Sequence, residues 1–73
     1  MTMPMRANRA TLTPRQLDIV EMMAEGMYNP EIAERLHISV NTVKSHGAAI
    51  RARLNTHGRV DTVAEAVRRG LLV

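Results

Sequence analysis

The chemistry open to this chain is set by three histidines and ten lysines or arginines, and above all by their spacing. His37, His46 and His57 stand nine and eleven residues apart, and there is no cysteine. No clustered acid or thiolate completes a metal set at such spacing. Ser45 and His46 are neighbours, so on a helix their side chains diverge by about 100° and cannot work as nucleophile and base. A glycine-rich phosphate loop is absent. These residues point away from an enzyme, and no metal or cofactor is expected.

The cations are arranged differently. Lys44, Arg51, Arg53 and Arg59 fall within residues 41–59, which hold no acid. Residues 16–40 carry Asp18, Glu21, Glu25, Glu31 and Glu34 against Arg35 alone. A cationic block flanked by acidic stretches is the layout of a polyanion site. Tyr28 is the one aromatic residue, which argues against modules that stack single-stranded bases on aromatic rings. A basic block can also be simply a solvated face.

The block lies on Ser39 to Leu54. Val40, Val43, Gly47, Ile50 and Leu54 recur at helical spacing and share one side, while Asn41, Lys44, Ser45, Ala48 and Arg51 share the other. Ser39 is a good N-cap. A helix anchored behind and slim and basic in front fits a DNA major groove. Asn41, Lys44, Ser45 and Ala48 are therefore the candidate base readers, and Arg51, Arg53 and Arg59 would meet phosphates.

The remaining elements must hold that helix. Thr13-Pro14-Arg15-Gln16 is a helix start with a capping box, and the first helix should run to about Ala24, burying Leu17, Val20, Met23 and Ala24. Gly26 is placed to end it in a left-handed conformation. Met22, Met23 and Met27 read as core fillers. Asn29-Pro30 repeats the start signal, giving a second helix from Pro30 to Leu36 with Ile32, Ala33 and Leu36 inward. His37-Ile38-Ser39 then makes the turn of a helix-turn-helix; His37 stands where many such turns have glycine, and if the backbone there is left-handed, His is among the tolerated residues. Ala33 is small enough to let the second helix cross the third closely. After the loop Asn55-Thr56-His57-Gly58, Gly58 caps a fourth helix that runs to about Arg69 and ends at Gly70, with Asp61 suited to its positive end. Its apolar residues are Val60, Val63, Ala64 and Val67, followed by Leu71 and Leu72.

The chain has 73 residues, one small domain (11–73) preceded by an aperiodic arm (1–10) read as mobile. A core of this size gives marginal stability, and without disulfides oligomerisation is the common remedy. Val63, Val67 and Leu71 are the candidate dimer contacts. No apolar run of about 18 residues exists, and MTMPMRANRA is no signal peptide, so a cytoplasmic protein is expected, with no membrane partner.

Leu12-Thr13-Pro14-Arg15, Ala24-Glu25-Gly26, Glu31-Ile32-Ala33, Leu36, Ile38-Ser39, Thr42-Val43-Lys44 and His46, continued through Leu54, Arg59, Ala66 and Gly70-Leu71-Leu72, resemble the LuxR-type (LuxR/GerE/FixJ) DNA-binding domain over about residues 12–72. The resemblance implies an all-α, four-helix domain with its third helix in the major groove and its fourth at a two-fold dimer contact. With no receiver or ligand-sensing domain, the chain is similar to stand-alone, GerE-like members. By the resemblance, Lys44 and Ser45 touch bases, Thr42 and Arg53 lie near phosphates, and His46 is structural. The chain departs from the family pattern at Gly47 (usually Val or Ile), Arg51 (usually large and apolar), Ala48, Ala49, Pro30, Tyr28 and Thr56 (usually Val). The function expected is a transcriptional regulator that binds double-stranded DNA in a sequence-specific manner as a homodimer. A second reading is an adaptor similar to sigma-factor region 4, which shares LTPRQ, EIAERL and TVKS and would contact RNA polymerase.

Overall fold

The structure is a computed structural model and describes residues 11–72. The expected arm, residues 1–10, lies outside the described residues, as does Val73. Four helices make up the described chain: α1 Pro14–Ala24, α2 Asn29–Leu36, α3 Val40–Leu54 and α4 Arg59–Arg68. No strand occurs among the described residues, so the all-α, four-helix expectation holds.

The caps explain where each helix begins. At α1 the Thr13 hydroxyl accepts from the Gln16 amide (3.1 Å) and the Gln16 side chain accepts from the Thr13 amide (3.0 Å). This reciprocal pair satisfies two amides that the helix leaves over. The Ser39 hydroxyl accepts from the Thr42 amide at 3.0 Å and starts α3. At α4, Gly58 is the cap and the Asp61 carboxylate accepts from the amides of His57 (2.9 Å) and Gly58 (2.8 Å). The His57 amide above all holds the Asp61 carboxyl below its ordinary value.

α2 differs from expectation by one residue. Its cap is Tyr28, so Asn29 is already helical, and the Tyr28 amide donates to the Glu31 carboxylate at 2.9 Å. The Glu31 side chain does the capping that Asn29 was expected to do, and Pro30 still sits in the first turn, where its missing N–H costs nothing.

Left-handed residues close the turns. Gly26 has φ +89° after α1, and His37 takes φ 59°, ψ 44° between α2 and α3, as its position implied. The Ile38 amide then reaches back to the Ala33 carbonyl at 3.0 Å. Asn55 plays the same part after α3 (φ 59°), with the Thr56 amide on the Arg51 carbonyl.

α3 packs on each of the other three helices, and α4 also packs on α1. The core is Leu12, Ile19, Val20, Ile32, Ala33, Val43, Ile50, Leu54, Ala66 and Leu71. Each fully buried Ile, Leu or Val contributes roughly 1.5–3 kcal/mol, so removing α3's Val43, Ile50 and Leu54 from this cluster would cost the fold most of its margin. Buried Ala33 lets α2 cross α3 closely, as its size implied.

The inward face of α1 is rotated from the expected one. Ile19, Val20 and Gln16 are buried, Leu17 and Met23 are half-buried, and Ala24 is exposed. Gln16 can go inward because its side-chain oxygen already accepts from the Thr13 amide in the capping box, which lowers the usual cost of burying it. Leu71 is also a correction. Its side chain is 2% exposed, within the core, because Gly70 (φ +78°) turns the chain back and the Leu71 amide bonds the Ala66 carbonyl at 2.8 Å. It is a core residue of the domain and leaves the dimer set.

Candidate nucleic-acid interface

The face of α3 turned away from the core carries Asn41, Lys44, Ser45 and Ala48, all four exposed. Val43, Ile50 and Leu54 hold the opposite side at 2% exposure or less. The four expected base readers therefore share one continuous, slender surface. Thr42 is exposed at the start of the helix, where its amide and hydroxyl engage Ser39. His46 is half-buried on the helix flank.

The arginines expected at phosphates are held in three ways. Arg53 is exposed and donates to the Thr11 carbonyl at 2.7 Å, tying the chain ahead of α1 to the end of α3. Arg59 donates to the Met23 carbonyl at 3.4 Å and lies 5.1 Å from the centre of the Tyr28 ring, a cation–π contact joining α4 to the α1–α2 corner. Each guanidinium has five N–H donors, so both keep donors to spare. Arg51 folds back along its own helix. Its Nη1 would be 3.3 Å from a Cβ at Gly47, one turn earlier, and so occupies the space a side chain there would need.

Gly47 and Arg51 border a cleft of about 200 Å³ between α3, α1 and the start of α2. Its walls include Met23, Asn29, Val43 and Lys44, and no carboxylate. Among the described residues the ion pairs join Glu65 to Arg68 and Arg69 on α4, so no carboxylate neutralises Lys44, Arg51 or Arg53. The described acids of α1 and α2, such as Asp18, Glu21, Glu31 and Glu34, are exposed on other helices.

A helix-turn-helix whose second helix shows an exposed, unneutralised basic face is now in view, and its sequence matches the family model described as bacterial regulatory proteins, luxR family, over residues 10–66. The chain belongs to the LuxR family of bacterial regulatory proteins. Relatives of this LuxR-type domain include the HTH-type transcriptional regulator AlkS of Alcanivorax borkumensis, 44% identical over 88% of this chain and 7% of that protein. The oxygen regulatory protein NreC of Staphylococcus carnosus is 39% identical over 84% of this chain and 28% of its own length. The uncharacterised transcriptional regulatory protein YxjL of Bacillus subtilis is 38% identical, covering 82% of this chain and 28% of that protein. The chain thus spans well under a third of the length of each of these relatives.

Two departures from the LuxR-type pattern now explain each other. Gly47 lacks the usual branched side chain, and Arg51 replaces a large apolar residue and lies over the gap. The departure at Thr56 is likewise coupled, because its hydroxyl meets that of buried Thr62 at 2.8 Å. Sequence periodicity could not show either pair, since both depend on side-chain paths.

On α4 the structure adds residues to the candidate dimer surface. Val67 is 53% exposed and Val60 82%, with exposed Ala64 between them, a stripe at i, i+4 and i+7. Val63 is half-buried at its edge. The spacing 60, 64, 67 was the available signal, and the apolar residues of this helix alone do not say which of them face outward. Among the described residues no helix is long and apolar enough to cross a membrane.

Proposed function

We propose that this LuxR-type domain binds double-stranded DNA with sequence preference and acts as a homodimeric transcriptional regulator in the cytoplasm, without catalytic activity or cofactor. α3 lies in the major groove. Lys44 donates to guanine O6 or N7, and Ser45, Asn41 and Ala48 complete the reading face. Thr42, Arg51, Arg53 and Arg59 contact phosphates, which fix the register of the helix on the duplex. α4 pairs with its two-fold mate through Val60, Ala64 and Val67, so half-sites are inverted and separated by about one helical turn, roughly 34–36 Å.

One observation carries this reading: the outer face of α3 is exposed and cationic, while its inner face is locked into the core. The test is selection of binding sites from random duplexes at two salt concentrations. Enrichment of an inverted repeat at both is expected. Retention without enrichment, vanishing at the higher salt, would mean only general charge attraction.

The exposed acids of α1 and α2 favour a second reading, an adaptor that docks on RNA polymerase with little DNA affinity of its own. Undetectable duplex binding at low salt together with polymerase capture would support it over the first.

A further inference from the structure

We infer that the cleft bordered by Gly47 and Arg51 is a site for one backbone phosphate of the duplex, held by the Arg51 guanidinium with the Asn29 side-chain amide beside it. The inference rests on the DNA-binding reading and deepens it. Four features argue for it. The cleft holds about 200 Å³, and among its walls Lys44 and Arg51 are the charged groups, both positive. Arg51 lies half-buried with no carboxylate partner among the described residues, so its charge is uncompensated within the fold. A guanidinium presents paired donors in a plane that suits phosphate oxygens. Gly47 supplies the remaining condition. A Cβ there would stand 3.3 Å from Arg51 Nη1, and a branched side chain would fill the path that the guanidinium takes across the helix.

Glycine at 47 is then a device for reach. It redirects Arg51 from the far end of α3 toward the turn that carries Lys44. There the phosphate lies next to the base that Lys44 reads, and phosphate grip and base readout share one register. Lys44 borders the same cleft, and its ammonium is the group assigned above to the base edge.

The experiment measures how affinity for a random-sequence duplex varies with salt in the intact chain, for the wild type, Gly47→Ala, Gly47→Val, Arg51→Leu and the Gly47→Val/Arg51→Leu pair. Circular dichroism verifies each fold. Loss of one phosphate contact lowers the slope of log K against log salt by about 0.9 per protomer. That loss is expected for Gly47→Val, for Arg51→Leu and, without further decrease, for the pair. Gly47→Ala keeps the slope, because the flexible guanidinium needs to move by only a few tenths of an ångström. An unchanged slope in Arg51→Leu, or additive losses in the pair, would overturn the inference. A titration with inorganic phosphate against chloride at constant ionic strength is the second readout. Phosphate should shift the Arg51 Nε–H and Gly47 N–H resonances of the wild type, and the Gly47 shift should vanish in Arg51→Leu. If the wild type bound no duplex, the DNA reading would fail, and this titration would still judge the anion site.

Discussion

The hydroxyls of Thr56 and Thr62 meet at 2.8 Å where the chain turns into α4, and Thr62 has no exposed surface. Thr62 donates onward to the Gly58 carbonyl, so Thr56 is the donor between the two hydroxyls. This short relay satisfies the one fully buried hydroxyl described and ties the turn to the helix it starts. Thr56→Val should cost about 1 kcal/mol, the usual net worth of such a bond. Thr62→Val should cost somewhat more, about 1–2 kcal/mol, because it removes both hydroxyl bonds and leaves the Thr56 hydroxyl without its partner, while the Gly58 carbonyl keeps the Thr62 amide. Replacing both should cost less than the sum, since no polar partner is left facing an apolar one. Urea unfolding of the four proteins measures this, and strict additivity would show that the hydroxyls act independently.

Lys44 stands on the exposed face of α3 one turn after the Ser39 cap. If it reads a base, Lys44→Ala should lose about 1–3 kcal/mol at one position of a selected site and little on random duplex. Competition assays with single-base variants of that site make the comparison. Equal weakening on selected and random DNA would reduce Lys44 to a phosphate contact.

Much of this architecture was legible in the sequence because local chemistry carries it. Thr13 with Gln16, Ser39 with Thr42, and Gly58 with Asp61 are caps whose partners lie within one turn. His37 could be placed because few side chains tolerate the backbone its turn requires. Errors arose where distant residues decide. The buried face of α1 is set by what α3 and α4 present, and periodicity alone gave the wrong phase for Ala24 and passed over Ile19. Leu71 looks like surface from the sequence because the turn at Gly70 is local, whereas the core cluster into which that turn sends Leu71 is not. Arg51 was assigned to phosphate from its face, but its path over Gly47 belongs to side-chain geometry.

Acid should loosen the junction of α4 with α3. Glu65 accepts from Arg68 and, at 2.7 Å, from Arg69, and these bonds pull its carboxyl down to about 2 from the ordinary 4.5. Arg69 in turn donates to the Leu54 carbonyl at the end of α3, at 3.3 Å. A carboxyl with a depressed folded-state pKa adds stability that is complete above about 4.5 and is lost as pH falls toward about 2. Thermal unfolding from pH 7 to pH 2 should show the wild type above Glu65→Gln at neutral pH and the two converging at the acid end. A constant gap would mean that Glu65 contributes by packing, with its charge irrelevant.

Val67 and Leu71 are one helical turn apart in sequence and have opposite fates. Val67 is 53% exposed and Leu71 is 2% exposed. If the stripe of Val60, Ala64 and Val67 is the two-fold contact, a charge there breaks association and spares the fold. Val67→Glu and Val60→Glu should both sediment as folded monomers with near-normal helix content. Leu71→Ala removes core volume and should cost about 2–5 kcal/mol, enough to unfold a chain of this size or lower its melting temperature steeply. Sedimentation and circular dichroism on the three variants separate the roles. Val67→Glu that unfolds would place Val67 in the core, and Val67→Glu that still dimerises would move the interface off α4.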